Sequence, residues 1–258
     1  MPRLAANLSM LFTELPFLDR FEAAATAGFK GVEMLFPYAF DRSEIRARLD
    51  TLGLELVLFN LPPGHWDEGE RGVTGLRGRE AEFAQGLELA LETAETLGCP
   101  RLHAMAGLDL HGFDPQVYRL NLALAAGWAA PLGIDILIEP INTRDMPGYG
   151  LTTTEAAAAT IAEVGAPNLG LQFDVYHRHM MQGGVLAAIP RFAGIARHYQ
   201  CAGPPDRGEP GLSPLDYRAV FAAIDATGHS GWVGCEYKPR AGTLPGLVWR
   251  ETCGVPVV

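Results

Sequence analysis

The chain is short of cysteine, of basic residues and of long apolar runs. It has 258 residues and only four cysteines, Cys99, Cys201, Cys235 and Cys253, none in a CxxC pair. That argues against a disulfide scaffold and a thiolate zinc site. Each thiol reads as a small buried hydrophobe in a reduced, cytoplasmic protein. No apolar stretch approaches the roughly 18 residues of a membrane span, and no basic-plus-apolar leader is read at the N-terminus, so no membrane role is expected. Lys and Arg number 20 against 30 Asp and Glu, a formal net charge of -10. Gripping a phosphate backbone depends on clustered bases, so no nucleic-acid partner is expected. A small anionic substrate needs only a local positive pocket. No glycine-rich dinucleotide fingerprint follows the first apolar run, which disfavours an open nucleotide-binding sheet.

What the chain does have is regular alternation. Eight short apolar runs read as strands: Leu4–Met10, Gly31–Leu35, Leu54–Asn60, Arg101–Gly107, Asp135–Pro140, Leu169–His177, Ile195–Gly203 and Gly231–Tyr237. Longer helical patterns such as "GREAEFAQGLELALETAETLG" lie between them. Several of these stop on glycine, at Gly28, Gly53, Gly98, Gly133 and Gly228, which suits a left-handed C-cap. Thr152 with Glu155 reads as a capping box. Near-continuous apolar strands alternating with helices imply a helix-covered parallel sheet, and eight such units imply closure. The expectation is an α/β fold, a (β/α)8 TIM barrel, with residues 1–258 forming a single domain. The remainder after Glu236, "GTLPGLVWRE", allows one short or irregular last helix.

In such a barrel, active sites sit at the C-terminal ends of the strands. The run "DILIEPINTRDMPG" is apolar until Glu139 ends it. Asp174, Gln200 and Glu236 end the next three strands. A single strand-end Glu is usually a solvated rim residue. Four oxygen donors on consecutive strands are harder to treat that way, because adjacent strands lie about 4.8 Å apart and their ends reach one point. Three carboxylates together repel unless a cation or protons offset them. A hard divalent cation, Mg²⁺ or Mn²⁺, prefers such ligands. Candidates for holding an anionic substrate are Lys238, Arg71, Arg144, Arg207, His65 and His103. His177 stands as a partner of Asp174 or a rim histidine, and Glu33 as a barrel-interior hydrogen-bonding residue. Arg71 lies in the glycine-rich "EGERGVTG", read as a lid that closes over the site.

The segments "IEPINTRDMPGY", "LQFDVYH", "HYQCAGPPDRGEPG" and "GCEYKP" resemble the hydroxypyruvate isomerase family, within the wider xylose isomerase-like barrel group. So do the N-terminal "NLSMLFTELPFLDRFEAAATAGFKGVEMLFPY" and the middle "GERGVTGLRGREAEF" and "CPRLHAMAG". The resemblance covers nearly the whole chain. It implies an aldose–ketose type isomerase taking hydroxypyruvate to tartronate semialdehyde, with 3-oxo-tetronate relatives. It also implies Glu139 and Glu236 as proton donor and acceptor, and Glu139, Asp174, Gln200 and Glu236 as metal ligands. Gln200 stands where ketose 3-epimerases of the group have His, which favours the isomerase branch. "GEPGLSPLDY" and Gly150 depart from the family pattern, in loops over the site.

The chemistry implied is a hydrogen shift between adjacent carbons through an enediolate. The metal acts as Lewis acid and one glutamate takes the proton that the other returns. The rivals are a ketose 3-epimerase on the same scaffold, an endonuclease IV-like nucleic-acid enzyme that the charge disfavours, and a non-catalytic sugar-acid binder. Some amphipathic helices could also serve a homo-oligomer face.

Overall fold

A computed structural model describes residues 2–255. Eight parallel strands close in sequence order into one barrel. They are β1 (Arg3–Asn7), β2 (Gly31–Glu33), β3 (Glu55–Asn60), β4 (Arg101–His103), β5 (Asp135–Ile138), β6 (Leu169–Asp174), β7 (Ala196–Cys201) and β8 (Trp232–Cys235). All eight expected strands form, each shorter than its apolar run. Strands β5 and β8 end at Ile138 and Cys235, so Glu139 and Glu236 fall just past the ladder.

The connecting helices are α1 (Arg20–Thr26), α2 (Arg42–Leu52), α3 (Glu80–Leu97), α4 (Pro115–Ala129), α5 (Thr154–Val164), α6 (Val175–Gln182), α7 (Val185–Phe192) and α8 (Tyr217–Ala226). After β8, among the described residues, two four-residue turns of helix form, α9 (Thr243–Gly246) and α10 (Trp249–Thr252), where the sparse C-terminal pattern implied one short or irregular helix. Gly28, Gly53, Gly98, Gly133 and Gly228 all take positive φ just after a helix, the conformation glycine adopts without a Cβ clash. The capping box at Thr152 does not form. Thr153 caps α5 by accepting from the Ala156 amide. Glu155 instead turns outward to Arg178 and Arg191, whose guanidinium groups lie 3.0 and 3.1 Å away. Two charge-assisted bonds outweigh one reciprocal bond to a backbone N–H.

The apolar core fills the layer between barrel and helices. A separate small cluster of Ala5, Val57, Leu58, Leu137 and Trp232 plugs the barrel's lower interior. That plug lets the polar residues gather at the other end. The four cysteines are free and buried. Among the described residues no helix is long and apolar enough to cross a membrane.

Candidate active site

The strand ends open into a cavity of about 370 Å³. Register explains why its polar residues converge. Asp174 is level with Gln200, Gln200 with Gly234, and Asn7 with Glu33. Glu139 and Glu236 follow the last paired residues of β5 and β8 and line the cavity. Asp174 and Gln200 lie beneath its surface, and both are buried. Asp174 also caps α6, accepting from the Tyr176 amide at 2.7 Å, so strand and helix share one carboxylate.

These carboxylates are held against their preference for water. Burial, then Glu236 and Asp174, push Glu139 well above the usual carboxylate range. Burial raises Asp174 to about 6 and Glu236 to about 8, with Arg207 opposing both shifts. Among the described residues, Glu139 Oε1 and Asp174 Oδ2 are buried with no hydrogen-bond partner. Unpartnered buried carboxylate oxygens are costly, and a divalent cation would satisfy them. The donor set therefore fits a hard metal ion.

Arg207 supplies the positive charge in contact with these carboxylates. Its Nη2 lies 2.6 Å from Glu236 Oε1 and 3.7 Å from Asp174 Oδ2. Burial opposes its charge, but Glu236, Asp174 and Glu139 outweigh that and hold it protonated.

His177 sits in the first turn of α6, buried, with Nε2 3.8 Å from Glu139 and 3.7 Å from Asp174. With Glu139 and Asp174 it brings ligand-type atoms within 4.8 Å of one another. The hydrogen bonds argue against His177 as a ligand. Asn142 Oδ1 accepts from the Arg144 and Asp145 amides, so its Nδ2 faces His177 Nδ1 at 2.6 Å. Nδ1 is then the acceptor and Nε2 carries the proton. Burial drives the His177 pKa well down, so the ring is neutral. It offers the site an N–H donor rather than a lone pair. His103 Nδ1 lies 3.7 Å from the other oxygen of Glu139, and burial lowers its pKa to about 3.

Gln200 differs from the role the resemblance implies. Its Nε2 donates to Glu33 at 2.8 Å and also to Glu236, while its oxygen accepts from Gln172 Nε2 at 2.6 Å. To offer that oxygen to a cation, the amide must turn over. The carboxylate of Glu33 is the reason for the present orientation. It also accepts from Asn7 at 3.0 Å and lies 2.7 Å from His198 Nε2. Gly234 makes room for it, since a Cβ there would meet the carboxylate at 2.3 Å.

Of the residues proposed for substrate, Lys238, Arg71, His103, Arg144, His177 and Arg207 line the cavity. His65 does not. Its side chain is exposed and its backbone N–H ties to Glu70, so the neighbouring Trp66 takes the wall position instead. The Arg71 segment is no free lid. Residues Gly72 to Leu76 are buried and packed onto the end of β4. Gly150 is explained by Phe113, whose ring fills the space a larger side chain would need. Gln172, Trp66, Tyr176 and Asp145 also line the cavity and were not singled out from sequence. Gln172 was findable, because it stands two residues before Asp174 and so shares its face of the strand.

A family model described as xylose isomerase-like TIM barrel matches residues 21–253. The chain is 51% identical to a 2-oxo-tetronate isomerase of Cupriavidus necator, over 97% of this chain and 98% of the relative. It is 42% identical to the hydroxypyruvate isomerase of Escherichia coli, over 97% and 99%. A solved structure from Brucella melitensis, described as an AP endonuclease of family 2, superimposes with a TM-score of 0.95 at 45% identity, over 98% and 99% of the two chains.

Proposed function

The chain belongs to the xylose isomerase-like TIM barrel family and is an isomerase within it, and we propose that it shifts the carbonyl of a small 2-oxo-3-hydroxy acid to the neighbouring carbon. The two named activities share that chemistry. Hydroxypyruvate becoming tartronate semialdehyde, and a 2-oxo-tetronate becoming its 3-oxo isomer, both exchange C2 ketone and C3 hydroxyl. The relatives carry the 2-oxo-tetronate name where the family resemblance implied 3-oxo-tetronate, and a C2–C3 shift connects the two.

The observation that carries the reading is the pair Glu139 and Glu236, both buried, both at the cavity, and close enough that Glu236 opposes the ionisation of Glu139. One carboxylate takes the proton from C3 as a C2–C3 double bond forms and the C2 carbonyl oxygen gains charge. The other returns a proton to C2 as the C3 hydroxyl becomes the carbonyl, and the proton of that hydroxyl passes to the former carbonyl oxygen on C2. Elevated proton affinity suits both groups to this exchange, and each such step is typically worth about 10²–10⁴-fold. The neutral His177 directs its N–H toward the same point, suited to an oxygen that gains charge during reaction. Glu139, Asp174 and Glu236 would hold a hard divalent cation, Mg²⁺ or Mn²⁺, with Gln200 joining once its amide turns. Such an ion supplies Lewis acidity toward the substrate's oxygens.

The endonuclease-type name of the Brucella structure does not transfer well to a chain of net charge -10, whose cavity is lined by Glu139, Glu236, Asp145 and Asp206 as well as by its cations. The test is turnover of hydroxypyruvate and 2-oxo-tetronate, set against neutral ketoses, with Mn²⁺ supplied. Glu139→Gln and Glu236→Gln should each lower kcat by about 10²–10⁴ while far-UV circular dichroism stays unchanged. Wild-type rates in both single variants would sink the assignment.

A further inference from the structure

We propose that Arg71, laid on the face of Trp66, is the clamp for the substrate's carboxylate and so restricts this cavity to oxo acids. The substrate class rests on the isomerase reading above, and the test below separates the two.

Four cations line the cavity: Arg71, Arg144, Arg207 and Lys238. Arg207 is committed to Glu236 and Asp174. Arg144 and Lys238 are exposed. Holding either on a ligand would cost side-chain entropy in a screened setting. Arg71 is different. Its guanidinium carbon lies 3.9 Å from the centroid of the Trp66 ring. Its Nη1 donates to the backbone oxygens of Trp66 at 3.0 Å and Glu70 at 2.6 Å. Among the described residues Arg71 has no ion pair, and its Nε and Nη2 make no hydrogen bond. That free edge offers two parallel N–H groups, the arrangement that receives a carboxylate bidentately.

The loop around it is rigid. Glu70 is buried, accepting from the His65 amide at 2.6 Å and from Arg79 at 2.8 and 3.3 Å. Gly72 passes so near β4 that a Cβ would sit 2.3 Å from the Met105 carbonyl oxygen. Trp66 itself packs edge-on against Phe36 at 5.1 Å. Little freedom remains for a ligand to remove, so most of the interaction is available for binding.

The chemistry of the substrates needs such a group. In both acids the carboxylate is bonded to a reacting carbon, and only the far end of the chain differs. A fixed cation at that position orients C2 and C3 whatever the chain length. A neutral ketose has no partner for it.

Calorimetric binding of tartronate, a non-isomerising acid, reads the clamp without turnover. Arg71→Ala should weaken it about 100-fold, Arg71→Lys less, and Trp66→Leu about tenfold. For the oxo acids, KM should rise far more than kcat falls. The clamp is overturned if wild-type protein does not bind tartronate, if Arg71→Ala and Arg71→Lys both bind it as wild type does, or if the large loss appears with Lys238→Ala or Arg144→Ala instead. Should Arg71→Ala misfold, Arg71→Lys and Arg71→Gln carry the same readout. Tartronate binding through Arg71 without oxo-acid turnover would remove the isomerase reading and leave the clamp. Oxo-acid turnover with an unchanged KM in the Arg71 variants would do the reverse.

Discussion

Two acidic residues show how one side chain serves opposite ends by environment. Glu236 is buried against other carboxylates, and its proton affinity rises to about 8. Glu70 is buried against a guanidinium. Its hydrogen bonds from Arg79, helped by the His65 amide, hold its pKa down at about 2. A depressed carboxylate stabilises the fold above its ordinary value of about 4.5, and that stability is lost as the pH falls toward 2. Glu70→Gln should therefore cost about 2 kcal/mol at pH 7 and little at pH 2, discounting for the partly exposed Arg79. Urea unfolding at the two pH values measures this. An equal cost at both would show that packing, not charge, holds the loop.

At the scale of elements, the site is assembled from loops that the strands press into place. The segment between β3 and α3 is the clearest case. Gly72 takes φ +102 with Met105 directly beneath it. Gly72→Ala combines a disfavoured backbone with a hard contact, and should destabilise by about 2–4 kcal/mol. Because Arg71 is its neighbour, the same change should also raise KM for the oxo acids. Thermal unfolding together with steady-state kinetics checks both, and a fully stable Gly72→Ala protein would show that the loop can lift off β4. The β6–α6 junction has similar economy, since Asp174 ends the strand, caps the helix and faces the site.

For the whole molecule, Glu139, Asp174 and Glu236 are buried together at one site in a chain that already carries a net charge of -10. A carboxylate whose folded pKa is raised contributes stability that is complete below its unfolded value and lost as the pH rises through the folded one. For Asp174 and Glu236 that window runs from about 4 or 4.5 up to about 6 and about 8. In EDTA the melting temperature should then fall between pH 5 and pH 8. Added Mn²⁺ should restore stability most strongly at the upper end, because a cation binds the ionised groups and competes with protons. A pH-independent melting temperature in EDTA, or no effect of Mn²⁺ at pH 8, would contradict a metal-type donor set.

The sequence by itself determined the barrel. Eight apolar runs alternating with amphipathic helices have one compact arrangement in which every strand is covered, and periodicity is a local property. It also marked Glu139, Asp174 and Glu236, because each interrupts an apolar run where the strand must end. Only the tertiary structure decided how these groups face one another. The amide direction of Gln200 follows from Glu33 and Gln172, two strands that pairing and barrel closure bring to it. The proton on His177 Nε2 follows from Asn142, fixed in turn by two backbone amides. The exclusion of His65 follows from its backbone tie to Glu70, and the fixing of the Arg71 segment from the close approach of Gly72 to Met105. Orientation depends on contacts between residues far apart in the chain, and no local pattern carries that information.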